Sequence, residues 1–391
     1  MFIVDPRLKA YGTPRQAKYI DAVNDAGSYR KAAKKLGLSP DAVRMGIKTL
    51  SELAPAKGYD PEGFRDPNLP AQFMLKGFTR HRDLRTGEDI QQWDKVKVDD
   101  QKRAAAILRA FETAADVLPR LKPVRCPRTT DADLLNLYTF TDYHLGMRAW
   151  APESGRHWDI ETAEDVLVRA FQNMLDRAPA AEVGFINQLG DFLHSDGLLP
   201  VTPTSHHVLD QDVVYAQLVE AAIRVLRRLV DMALTRHKKV VVLMAEGNHD
   251  LASSVWLRAL FAALYEKEPR VEVIKSQTPY YAYAWGVTML GFHHGHKIKN
   301  EQLPGLFSSR YRLMWGTCTK VYIHAGHRHH LDQKDHQGAR VIQHPTLAAC
   351  DSHSARAGYD TDGQEAHVIT YSRRCGYAGT ISVNHEMLEA A

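Results

Sequence analysis

Beyond residue 130 one pattern recurs: an apolar, strand-like run ends in a short motif rich in aspartate, histidine and glycine. The motifs are Asp142-Tyr143-His144, Gly190-Asp191 with His194, Gly247-Asn248-His249-Asp250, His293-His294-Gly295-His296 and Gly326-His327-Arg328-His329. Strand character over 134–140, 183–189 and 240–244 alternates with apolar residues at helical spacing over 163–175 and 213–236. A βαβαβ series of this kind predicts a parallel sheet with helices packed on its faces. In such sheets ligands collect beyond the carboxyl ends of the strands, where these motifs fall. After residue 280 the strands shorten (TPYYAYAWG, VTMLGFHH, KVYIHAG), which predicts a second sheet packed face to face on the first.

No single motif is diagnostic, but the ordered set is. It offers carboxylates, imidazoles and one amide oxygen without a thiolate, which suits divalent cations of the manganese, iron or zinc kind. With 20 histidines in the chain, chance matches are common, so only the strand-terminal ones carry weight. His293 and His294 compete for one place. His296, His324 and His330 read as supporting or surface residues, and His206 and His207 fall in a loop expected to border the cleft.

Read in order over 131–355, the motifs resemble those of the calcineurin-like metallophosphoesterases. The resemblance implies an α/β fold, a four-layer α/β/β/α sandwich over 131–391, preceded by a small all-α helix-turn-helix domain. It implies two divalent metal ions, manganese foremost and iron or zinc as alternatives. Asp142, His144, Asp191 and His329 would hold one metal. Asp191 would bridge to the second, completed by Asn248, His294 and His327. The family's strand-HGH pattern favours His294 over His293. His249 becomes the general acid or transition-state stabiliser, with Asp250 orienting it. His194, three residues after Asp191, joins the catalytic set, because that spacing and the wording TDYHLG look like the superfamily's double-strand-break repair nucleases.

The N-terminus reads differently. Residues 1–60 carry 11 Lys+Arg against 6 Asp+Glu, a net of +5 where the whole chain has +4, so the remaining 331 residues sum to −1. A basic end on a neutral body points to a polyanion, although a solvated face has the same composition. Helical character over 14–26 stops at Gly27. Ser28 can cap a second helix ending at Gly37, and Ser39 with Pro40 opens a third whose apolar face is Val43, Ile47 and Leu50. The wording AAKKLGLSPDAVRMGIKTL resembles a helix-turn-helix. Arg44 and Lys48 on the third helix are then placed to enter a major groove, with Arg30, Lys31 and Lys34 on phosphates. A protein-docking module is the alternative for this fold.

The domains expected are 1–60, a hairpin and helix region over 61–130, and 131–391. In the middle region two strands flank the turn Arg85-Thr86-Gly87, an amphipathic helix follows over 100–118, and Pro119, Pro123 and Pro127 mark a linker. No apolar run is long enough to span a bilayer, and the four scattered cysteines fit reduced thiols, so a cytoplasmic protein is expected. No GxxxxGK[ST] motif is present, so no ATPase site is expected here, and a homodimer stays open. Whole-chain layout resembles bacteriophage-type proteins that join a helix-turn-helix to a metallophosphoesterase. DNA is the expected partner, and a metal-dependent DNA nuclease or phosphodiesterase is the first reading. A small-molecule phosphatase or cyclic-nucleotide phosphodiesterase is the second, and a DNA-binding regulator with a relic metal site the third.

Overall fold

The computed structural model describes residues 4–51, 124–350 and 363–390 in full, and the backbone of 52–53, 73–82 and 89–98. The chain divides into two compact units, residues 1–98 and 99–391.

In the first unit the three expected helices form: α1 (Pro14–Ala26), α2 (Tyr29–Leu36) and α3 (Pro40–Leu53). Thr13 and Gln16 make a reciprocal cap on α1, Ser28 accepts from Lys31 N, and Ser39 Oγ accepts from Ala42 N at 3.2 Å. Gly37 ends α2 at φ 65°, a left-handed conformation that glycine takes without strain. Ile20, Val23, Ala32, Ala33, Val43, Ile47 and Leu50 close over one another as the unit's core. Strands β1 (Phe73–Arg82) and β2 (Asp89–Val98) pair antiparallel. Both fall in the same unit as the helices, whereas the sequence reading divided the chain at residue 60. The turn Arg85-Thr86-Gly87 and the amphipathic helix expected over 100–118 lie outside the described residues.

The second unit is built on two mixed sheets. The larger contains β3 (Asp131–Phe140), β4 (Ala181–Gln188), β5 (Lys239–Met244) and β6 (Val271–Val273), all parallel. Two further strands, β12 (Glu365–Ser372) and β13 (Gly376–Asn384), extend it antiparallel beyond β3. The smaller sheet, in spatial order, is β10 (Asp332–His336), β11 (Ala339–Gln343), β9 (Lys320–Ala325), β8 (Thr288–His293) and β7 (Tyr281–Trp285). Alternation along each strand sorts the faces. Leu135, Leu137, Val183, Phe185, Val241 and Leu243 meet Tyr281, Leu290, Phe292, Tyr322 and Ile342 between the sheets. Tyr138, Phe140, Ile186, Val240, Val242 and Met244 point the other way, onto the helices Ile160–Arg177, Tyr215–Arg236 and Leu251–Leu264. Met289, Val321, Ile323 and Val341 on the outer face of the smaller sheet are covered by Leu303 and Phe307 of the helix Leu303–Arg310. The four layers expected, helices over sheet over sheet over helices, are therefore present in this unit. They leave the carboxyl ends of β3, β4, β5, β8 and β9 at one edge.

Candidate metal centre

At that edge the loops after five strands converge. Asp142 and His144 follow β3, Asp191 and His194 follow β4, Asn248 and His249 follow β5, His294 follows β8, and His327 and His329 follow β9. Five of these residues sit in the left-handed region: Asp142 (φ 51°), His144 (48°), Asp191 (50°), His327 (73°) and His329 (60°). Each costs on the order of 1 kcal/mol or more for a residue with a Cβ, and such strain gathers at functional sites. Gly247 has a steric reason to be glycine, since a Cβ there would stand 2.0 Å from Asp191 Oδ1.

The donor atoms form three groups: one is His144, His194 and His249, and the other two have one carboxylate in common. Ligand atoms of Asp142, Asp191, His294 and His327 lie within 4.8 Å of one another, and so do those of Asp142, His144 and His329. The resemblance gave the shared position to Asp191; in the structure Asp142 belongs to both of these groups, and Asp191 lies with Asp142, His294 and His327 in one of them. Each carboxylate has one oxygen tied and one presented. Asp142 Oδ2 accepts from Thr141 Oγ1 at 2.6 Å and His327 N at 2.7 Å, while Oδ1 is buried without a hydrogen-bond partner, 3.3 Å from His329 Nε2. Asp191 Oδ1 accepts from His249 N at 2.7 Å, and Oδ2 lies 3.1 Å from His294 Nε2. His294 Nδ1 donates to the Leu189 carbonyl at 2.9 Å, which fixes the ring and turns Nε2 into the centre. Asn248 Oδ1 is also buried with no partner. Buried oxygens left unpaired beside imidazoles are costly in a protein that binds nothing there and natural in one that binds cations. The donors fit divalent cations.

Electrostatics agree with this packing. Burial raises the Asp142 carboxyl, but the His294 and His329 imidazoles outweigh it and hold it below the usual carboxylate range. Asp191 is held well below that range in the same way, chiefly by His294. Burial lowers His294, yet the Asp191 and Asp142 carboxylates win and push it up to about 10. His144 goes the other way, driven well down by burial and then by the neighbouring His249 and His194.

His293 and His294 separate cleanly. His293 turns from the centre, its Nδ1 3.0 Å from the Pro279 carbonyl and its ring 4.7 Å from Tyr280. Of the expected catalytic residues, His194 places Nδ1 3.3 Å from His144 Nδ1, and His249 lies 4.6 Å, ring to ring, from His144. Asp250 does not orient His249. Its oxygens accept backbone N–H groups from Phe192 at 2.8 Å, Leu193 at 3.3 Å and Gly247 at 3.0 Å, so it ties the loop after β4 to the loop after β5. The His249 ring is positioned by the His194 carbonyl, 2.9 Å from Nδ1. His324 is buried between the sheets, and His206, His207 and His330 are exposed. Thr141 was invisible in the sequence, because only the fold shows that its hydroxyl holds a metal-facing carboxylate.

The expected nucleic-acid residues Arg30, Lys31, Lys34, Arg44 and Lys48 all lie exposed on α2 and α3 of the first unit, with Arg44 also 3.2 Å from Asp41. No helix among the described residues is long and apolar enough to cross a membrane.

The sequence matches no family profile and no curated protein. Among solved structures it is similar to vacuolar protein sorting 29 from Cryptosporidium parvum, at 13% identity over 64% of this chain and 96% of that one, with a TM-score of 0.30. A predicted phosphoesterase from Streptococcus pneumoniae is 9% identical over 64% of this chain and 97% of its own, with a TM-score of 0.24. Phosphopantetheinyl hydrolase from Mycobacterium tuberculosis is 12% identical over 65% and 97%, with a TM-score of 0.25.

Proposed function

We propose that this chain is a two-metal phosphoesterase that hydrolyses phosphodiester bonds, with DNA as its foremost substrate. The observation that carries the proposal is the pair of donor groups joined through Asp142 at the carboxyl edge of the sheets. Seven residues would hold the ions: Asp142, His144 and His329 on one side, and Asp191, Asn248, His294 and His327 with Asp142 on the other. Manganese suits this oxygen and imidazole set, as do iron and zinc. Two such ions would clamp a phosphate and lower the pKa of an attacking water.

The chain's own residues then do the rest. Asp142 and Asp191 offset the positive charge. His249 donates through Nδ1 to the His194 carbonyl, which leaves Nε2 to carry a proton to the leaving oxygen. His194 supports His144 through the contact between their Nδ1 atoms. The complete donor set counts against a relic site in a mere regulator. The exposed cations of α2 and α3 favour DNA over a small phosphomonoester, with Arg44 and Lys48 as groove contacts and Arg30, Lys31 and Lys34 as phosphate contacts.

The test is hydrolysis by the purified full chain with Mn²⁺ of linear duplex DNA, circular single strands and bis-(p-nitrophenyl) phosphate. Protein that binds two metals and cleaves none of the three would overturn the reading. Deleting residues 1–60 is expected to weaken duplex binding most at low salt, since phosphate contacts release counterions, while turnover of the small diester persists. Equal duplex affinity with and without that segment would reassign it to protein docking.

A further inference from the structure

A cavity of about 380 Å³ opens beside the metal centre, between the loop after β8 and the loop after β9. His296, Lys297, Lys299, Gln302, His327 and Arg328 line it, and no carboxylate does. His327 belongs at once to this wall and to the donor group of Asp142, Asp191 and His294, so the cavity adjoins the place where a scissile phosphate would be held. Lys297 is engaged with Glu246 at 2.7 Å, whereas Lys299 and Arg328 are exposed on the wall. His296 is the unusual wall residue. Both ring nitrogens of His296 are buried with no hydrogen-bond partner, and its ring packs 5.3 Å from His294 and 6.3 Å from His327. A buried polar group left without a hydrogen bond is costly, and an occupant offering hydrogen bonds would recover that cost.

We infer that this cavity is a second anion subsite, holding the phosphate next to the one being cleaved. Lys299 and Arg328 select negative charge while Lys297 is shared with Glu246, and His296 and Gln302 add hydrogen-bonding groups for its oxygens. The volume exceeds what a lone phosphate needs and leaves room for the sugar or anhydride link to its neighbour. The same chemistry receives the next phosphate of a strand or the terminal phosphate of a polyphosphate. The inference rests on the phosphoesterase reading for its position but not for its charge, and the test uses that difference.

Two measurements are made on the full chain and on Lys299→Ala and Lys299→Glu, which change an exposed side chain. The first is calorimetric titration of inorganic pyrophosphate into metal-free protein, where the glutamate variant is expected to bind about tenfold more weakly, the loss of one charge-assisted contact. The second, with Mn²⁺, compares kcat/KM for a 5′-phosphorylated thymidine dinucleotide and for adenosine triphosphate with that for bis-(p-nitrophenyl) phosphate. The preference for one of these two multi-phosphate substrates is expected to fall about tenfold in Lys299→Ala through KM, and which one falls identifies the source of the second phosphate. Unchanged pyrophosphate binding together with unchanged preference would overturn the subsite. Pyrophosphate binding that is weakened in the variants, in a protein that cleaves none of these esters, would keep the subsite and sink the phosphoesterase reading.

Discussion

His294 and His237 are both deeply buried imidazoles in the same α/β unit, at opposite ends of the larger sheet, and they are held in opposite ways. His237, at the amino ends of β4 and β5, has each nitrogen satisfied by a neutral group: the Ala181 carbonyl at 2.8 Å and the Tyr138 hydroxyl at 2.9 Å. Burial pushes it down to about 4, so it sits neutral in the core. His294 spends one nitrogen on the Leu189 carbonyl and turns the other on two carboxylates, which lift it to about 10. His324, between the sheets, follows His237: its nitrogens meet His344 at 2.8 Å and the Tyr371 hydroxyl at 3.1 Å. Desolvation acts on all three. What separates the proposed ligand from the core residues is the second nitrogen's partner, and five of the six non-glycine residues with left-handed backbone among the described residues lie around the proposed centre.

Removing the shared carboxylate attacks that contrast most directly. Asp142→Asn is expected to strip both metals and take turnover to background, whereas Asp191→Asn is expected to empty only the group of His294 and His327. Metal analysis of the two purified variants checks this; retention of one ion in Asp142→Asn would return the bridging place to Asp191. Next in size is His249→Ala. Turnover is expected to fall about 10²–10⁴-fold with metal content near wild type, as for a positioned acid. Loss of metal in that variant would make His249 a ligand or its support.

Much of this was readable before any coordinates. The helices expected over 163–175 and 213–236 are observed as Ile160–Arg177 and Tyr215–Arg236, and every motif lies at a strand's carboxyl end, because apolar periodicity and Gly-Asp/Gly-His turns are local signals. The β12 and β13 pair that completes the larger sheet was not foreseen. Val368 and Ile369 of β12 pair with Tyr138 and Leu137 more than two hundred residues away, and no local pattern announces such a partner. Nor could spacing show that Asp250 accepts backbone N–H groups while a carbonyl positions His249. Roles that depend on which loop meets which are properties of the fold.

The core half of the comparison makes its own prediction. His237 is held near 4 in the folded protein against an ordinary value of 6.5, so the folded state binds fewer protons between those values. Its contribution is fully present above pH 6.5 and is lost as pH falls from 6.5 towards 4, by about 3 kcal/mol. Urea unfolding of His237→Gln, normalised at pH 7, is expected to show a correspondingly shallower acid loss. An identical pH profile in variant and wild type would mean that His237 keeps its ordinary value in the core.

The smallest expected effect probes whether the metal half is held by residues that touch no metal. Thr141 donates its hydroxyl to Asp142 Oδ2, and among the described residues the other donor to that oxygen is His327 N. Valine has nearly the same shape, so Thr141→Val removes the hydroxyl while filling the space. One donor then holds the oxygen where two did, and the carboxylate is freer to rotate Oδ1 away from His294 and His329. Loss of such an orienting contact typically costs 10–100-fold in metal affinity, and that is the effect expected in a Mn²⁺ titration. Thr141→Ser restores the hydroxyl and is expected to recover most of it. If valine binds Mn²⁺ as tightly as threonine, the amide of His327 alone positions Asp142, and the strained turn at φ 73° is what fixes the shared carboxylate.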